Sequence, residues 1–198
     1  MKSKSFLVVI SGPSGVGKKT IIKELTKMNP DFIVSISATS RNPRIGEIEG
    51  VDYYFLSEKE FIARIENHEF LEWAMVHGNY YGTLIQNFLK AKERNMNLLM
   101  EIDVQGGKTI KKKFPQDSIL IFLLPPTFDE LEKRIKGRGS ENQDQINIRL
   151  KTAKLELLVA NEYDYTVIND EPNLCAKEIM YILKGSRLDE KERTKRNH

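Results

Sequence analysis

Gly12-Pro13-Ser14-Gly15-Val16-Gly17-Lys18 sets three glycines and a lysine between two segments of opposite pattern. Upstream, residues 6–10 (Phe, Leu, Val, Val, Ile) are all apolar and of β type, the pattern of a strand buried on both faces of a parallel sheet. Downstream, residues 18–27 place Ile21, Ile22 and Leu25 at helical spacing. The stretch therefore reads as strand, glycine-rich turn and helix.

In that setting the turn fits G-x-x-x-x-G-K, a phosphate-binding loop. Its glycines let backbone N–H groups converge on a phosphate without Cβ obstruction, and the helix N-terminus adds partial positive charge. Gly12, Pro13, Ser14, Gly15, Val16, Gly17 and Lys18 are thus read as the triphosphate site, with Lys18 reaching the β- and γ-phosphates. The pattern departs from type at the next position, where Lys19 stands in place of the Ser or Thr that ligates Mg²⁺. An ammonium has no lone pair for a metal. Thr20 offers a hydroxyl one position late, turned about 100° around the helix. A second nucleotide signature lies at Leu98-Leu99-Met100-Glu101-Ile102-Asp103, an apolar strand ending in acid, which makes Asp103 the residue to hold Mg²⁺ directly or through water.

The strand signal recurs at residues 98–102, 119–124 and 165–168, and helical patterns lie at 84–94, 107–113, 128–136 and 146–159. This alternation predicts an α/β fold, a parallel sheet flanked by helices and wound in right-handed crossovers. Residues 35–83 break the rhythm with short extended pieces, turn signals and a helix at 58–66, as an insertion does. Residues 137–145 contain no apolar side chain and read as a surface lid. After Arg187 the chain is charged and is expected to fray.

With 40% hydrophobic and 30% charged residues in 198, the chain can bury a core and fold as one domain. The formal charge of +3 argues for neither a nucleic-acid nor a membrane partner. Cys175, the single cysteine, excludes an internal disulfide and a thiolate zinc cluster, and reads as a small buried apolar residue. The apolar run at the start is too short for a secretory core, and no stretch reaches the length of a spanning helix, so a cytoplasmic location is expected. His68 and His77 are not at metal-ligand spacing and His198 is terminal, and Trp73, an aromatic in an apolar run, reads as core.

Arg41 and Arg44, three apart around a proline turn, each offer a planar fork to phosphate oxygens. The segments TSRNPRIGEIEGVDYYF, FLEWAMVHGNYYGT and EIDVQG, in that order after GPSGVGK, resemble the guanylate kinase family over residues 6–187. The resemblance implies a P-loop kinase that moves the γ-phosphoryl of MgATP to GMP. It implies a core at residues 1–34, 84–126 and 150–187, a mixed α/β GMP-binding insertion at 35–83, a helical lid at 127–149 and a tail at 188–198.

By position, the resemblance implies a GMP site of Ser37, Arg41, Arg44, Tyr53, Glu72, Tyr81, Thr83 and Glu101. Arg41, Arg44, Tyr53 and Tyr81 would bind the monophosphate. Glu72 would accept from guanine N1–H and the 2-amino group, while Ser37 and Thr83 donate to O6. Glu101 stands where some members carry Asp. Arg134, Arg138 and Arg149 match arginines that close over the ATP phosphates and, with Lys18 and Arg41, act on the transferred group. Asn169 would lie near the adenine, and the loop contacts extend to Lys19 and Thr20. Two other readings compete: a guanylate-kinase-like module that binds a protein and has lost catalysis, for which Lys19 speaks, and a P-loop kinase for another phosphorylated acceptor.

Overall fold

The computed structural model describes residues 5–76, 78–137 and 143–196, with side chains as far as residue 186. Its larger sheet is parallel, with order β2-β7-β1-β8-β9, and is flanked by helices. The strands are β1 (Leu7–Ser11), β2 (Phe32–Val34), β7 (Asn97–Glu101), β8 (Ser118–Leu124) and β9 (Tyr165–Ile168). All of β1 and nearly all of β7 and β8 are buried, which is why these read as continuous apolar runs.

The chain divides into two compact units. The first comprises Met1–Val9 and Asp31–Ser118, the second Ile10–Pro30 and Ile119–His198.

The first unit holds a smaller sheet of order β4-β3-β6-β5, from β3 (Ser37–Thr39), β4 (Tyr54–Phe55), β5 (Phe70–Val76) and β6 (Asn79–Leu84). One face of it packs on α2 (Glu58–Glu66), where Ala38, Phe61, Phe70 and Leu84 form a core and Phe61 stacks on Phe70 with ring centroids 4.5 Å apart. A full capping box, Ser57 with Glu60, fixes the start of α2. Helix α3 (Ile85–Glu93) packs on β7, and α4 (Val104–Lys113) packs on β5.

In the second unit α1 (Lys18–Met28) packs on α7 (Pro172–Arg196), and α5 (Phe128–Lys136) on α6 (Gln143–Leu157). Cys175 is 2% exposed, and burial pushes its thiol up to about 12.

Several expectations need correction. The chain beyond Arg187 does not fray at once, since α7 stays helical to Arg196. Trp73 is not core but 43% exposed at the rim of the small sheet, on edge strand β5. Helix α4 begins at Val104 rather than Gly107, because Asp103 caps it by accepting from Gly106 N at 2.8 Å. Most of the 137–145 lid and His77 lie outside the described residues, as does Arg138.

Candidate active site

In the second unit, the loop between β1 and α1 turns through three glycines of positive φ. Gly12 and Gly17 show why no other residue serves. A Cβ on Gly12 would come within 2.6 Å of Leu123 O, and one on Gly17 within 2.6 Å of Asn169 Nδ2. Gly17 also caps α1 with no side-chain bond, and the first turn of α1 carries no acid. Its N-terminal amides and partial charge are therefore directed at the loop and suit an anion. Lys18 Nζ folds over the loop, donating to Gly12 O at 2.6 Å and Pro13 O at 3.1 Å. Lys19 and Thr20 are exposed on α1.

Side chains of α6 reach this loop. Arg149 of α6 donates to Ser14 Oγ at 2.6 Å, while Ser14 N donates to Glu156 Oε2 at 3.3 Å. Arg134 of α5 is held by Glu130 at 3.0 Å and donates to Asn169 O at 3.1 Å. Asn169 is 2% exposed, and its Nδ2 donates to Val16 O at 2.7 Å. Its side chain thus braces the phosphate loop, a role that its sequence context did not announce.

In the first unit, strand register assembles the other half of the predicted set. Ser37 pairs with Thr83 across β3 and β6, and Thr83 pairs with Glu72 across β6 and β5. The three residues implied to read guanine therefore form one row across three adjacent strands. A β-bulge makes the row possible. Phe70 pairs with Leu84 and Glu72 with Thr83, so Leu71 is an extra residue. In a regular strand Glu72 would share the face of Phe70, in the α2 core; the bulge turns it to the opposite face beside Thr83.

Glu72 is 3% exposed and Thr83 fully buried, and neither Glu72 Oε1 nor Thr83 Oγ1 has a hydrogen-bond partner. Buried polar atoms without partners are rare and point to a ligand or to function. Burial pushes the Glu72 carboxyl up to about 7; the Asp103 charge adds to this, while Thr83 and Lys113 oppose it.

Tyr81 pairs with Thr39 beside this row, and its hydroxyl accepts from Arg41 Nε at 3.2 Å. The Arg41 guanidinium lies 5.5 Å from the Tyr53 ring centroid, and Tyr53 meets Tyr81 edge-on at 6.0 Å. Burial first, then the Glu101 charge, pushes the Tyr53 hydroxyl up to about 12, so it stays a donor. The Arg44 side chain is exposed.

Glu47, unread in the sequence, joins the two arginines. It accepts from the Arg41 guanidinium at 2.9 Å and from Arg44 N at 2.7 Å. The Arg41 bond holds the Glu47 carboxyl below its ordinary range, and Glu47 in turn raises Arg41. The available signal was an acid three residues after Arg44 in a turn rich in glycine.

Comparison with known proteins bears on the family of the whole chain. The guanylate kinase family model matches residues 4–185. A guanylate kinase of Prochlorococcus marinus subsp. pastoris is 47% identical over 93% of this chain and 100% of its own length. One from Caldanaerobacter subterraneus subsp. tengcongensis is 45% identical over 100% of this chain and 93% of its own. The crystal structure of guanylate kinase from Anaplasma phagocytophilum superposes with a TM-score of 0.79 at 32% identity, covering 94% of this chain and 88% of that one. The chain belongs to the guanylate kinase family.

Proposed function

We propose that the protein transfers the γ-phosphoryl group of ATP to GMP, giving ADP and GDP, as a single cytoplasmic domain that recycles purine nucleotides. The observation that carries this reading is the row of Ser37, Thr83 and Glu72, with two buried oxygens, Glu72 Oε1 and Thr83 Oγ1, that lack a hydrogen-bond partner and suit the edge of a 6-oxopurine. An ionised Glu72 accepts from guanine N1–H and the 2-amino group, and the hydroxyls donate to O6. Adenine offers an unprotonated N1 and a 6-amino donor, leaving the same groups unpaired. Arg41, Arg44, Tyr53 and Tyr81 bind the monophosphate, Arg41 being held ready by Glu47. Glu101 completes the acceptor site.

The loop from Gly12 to Thr20 binds the ATP phosphates. Lys18, Arg134, Arg138 and Arg149 stabilise charge on the transferred phosphoryl, which needs little covalent chemistry from the protein. Asn169 keeps the loop in shape. Mg²⁺ bound with ATP neutralises phosphate charge. Asp103 is the residue to hold it through water, with Thr20 a further hydroxyl. Asp103 offers one carboxylate, whose Oδ1 caps α4, and among the described residues no group of three or more His, Cys, Asp or Glu could hold a metal. That donor set fits an ion that keeps most of its waters and takes other ligands from phosphates. The exposed Lys19 ammonium adds a screened repulsion, so Lys19→Ser lowers the Mg²⁺ concentration for half-maximal rate severalfold and leaves acceptor choice unchanged. Identical Mg²⁺ curves for the two proteins would remove Lys19 from metal binding.

Calorimetric titration with GMP tests the base-reading site. Because the free Glu72 carboxyl titrates at about 7 and guanine needs the ionised form, affinity falls about tenfold between pH 8 and pH 6, and binding at pH 6.5 releases a proton. The GMP phosphate, which titrates near 6, also contributes. Glu72→Gln separates the two, since it abolishes the step near 7 and keeps the phosphate step. A parent whose profile matches that of the variant contradicts the assignment.

A further inference from the structure

Glu72 lies against the first turn of α4, and the residue it meets there is Gly106. A Cβ built on Gly106 would stand 2.5 Å from Glu72 Oε2, 3.1 Å from Glu72 Cδ and 3.4 Å from Asp103 Oδ1. The glycine has an ordinary helical backbone and is not among the residues of positive φ, so no turn geometry requires it. Gly is the poorest helix former after Pro, by up to about 1 kcal/mol against Ala in a helix interior and less in a first turn, so propensity does not call for it either. The reason for glycine here is therefore space, and the space is occupied by the Glu72 carboxylate.

We infer that Gly106 is a specificity-determining positioning residue, whose missing side chain forms the seat that holds the Glu72 carboxylate in the plane of the guanine. The inference rests on the reading of Glu72 as the guanine acceptor. Gly106 is itself fixed from the other side, because its N–H donates to Asp103 Oδ1 at 2.8 Å and Gly107 N donates to Asp103 O at 3.0 Å. Packing of α4 on β5 carries the seat to the bulged strand. With the glycine held by its cap, a methyl group cannot retreat and the carboxylate must. Ordinary contact begins at 3.4 Å, so Glu72 Oε2 has to move by about 0.9 Å, from 3.4 less 2.5. The moving atoms are the far end of a side chain rather than backbone, so base recognition suffers and the fold does not.

The test is Gly106→Ala, alone and with Glu72→Gln, assayed with GMP and with inosine monophosphate, a 6-oxopurine lacking the 2-amino group. Gly106→Ala is expected to keep the melting temperature, raise KM for GMP about tenfold or more, narrow the preference for GMP over inosine monophosphate, and leave KM for MgATP unchanged. In the Glu72→Gln background it should change GMP kinetics by less than about twofold, since its effect runs through Glu72. An equal loss in both backgrounds, or no loss in either, overturns the role of Gly106. If Glu72→Gln alone leaves GMP kinetics unchanged, the guanine reading itself has failed. Should Gly106→Ala not fold, the double variant with Glu72→Asp, which withdraws the carboxylate by one methylene, must fold; if it does not, the seat is wrong.

Discussion

Glu72→Gln lowers kcat/KM for GMP by about 10³-fold or more, because the amide places a donor where guanine also donates and leaves a buried polar group unpaired. KM for MgATP should stay within about twofold, since the substitution touches only the base row. The same variant should be the more stable protein at alkaline pH. The folded carboxyl titrates at about 7 against an ordinary 4.5, so the fold binds more protons than the unfolded chain over that interval. Its contribution to stability is present below about 4.5 and is lost as pH rises through 7, by about 3 kcal/mol. Glutamine does not titrate. Melting curves at pH 5 and pH 8 should therefore show the variant gaining on the parent as pH rises, while its turnover of GMP is nearly gone. A variant that turns over GMP as the parent does would leave Glu72 with no part in base recognition.

Arg149→Ala lowers kcat by about 10² to 10³-fold with KM for GMP little changed, as expected for a cation that acts mostly on charge spread over the transferred phosphoryl. Its present contact supports that role: the guanidinium donates to Ser14 Oγ at 2.6 Å, within the phosphate loop, from the body of α6. Arg149→Lys keeps the charge but loses the planar fork, and should recover only part of the rate. Steady-state kinetics with both substrates varied checks the point. Equal losses in GMP affinity and in rate would move Arg149 out of the lid role.

The phosphate loop was legible in sequence because its demands are local. Glycine, lysine and the switch from an apolar run to helical spacing all lie within residues 6–27. Strands β7, β8 and β9 were legible for a similar reason, each being a short β-type run in a chain that otherwise alternates with helices. Strand β2 was not, since three residues on a sheet edge carry too little pattern to stand out. The charged run after Arg187 lacks an apolar stripe and so reads as frayed, yet Leu, Glu, Lys and Arg are good helix formers and α7 runs on to Arg196. The positions of Ser37, Thr83 and Glu72 came from the family resemblance, and what places them in one row is cross-strand register together with a bulge at Leu71. A period-two reading carries no sign of that bulge, and an aromatic among apolar neighbours reads as core, although Trp73 is 43% exposed on edge strand β5. Glu47 and Gly106 act through contacts at distances no motif encodes, one on a guanidinium and one against a carboxylate.

The central claim is that this chain phosphorylates GMP in preference to other nucleotides. Purified protein given MgATP with GMP, AMP, CMP or UMP in turn, with each nucleoside diphosphate measured directly, tests it most plainly. The account predicts GDP formation with kcat/KM exceeding that of any other acceptor by about 10⁴-fold. Faster turnover of AMP, CMP or UMP, or no turnover of any acceptor at any Mg²⁺ concentration, would contradict it.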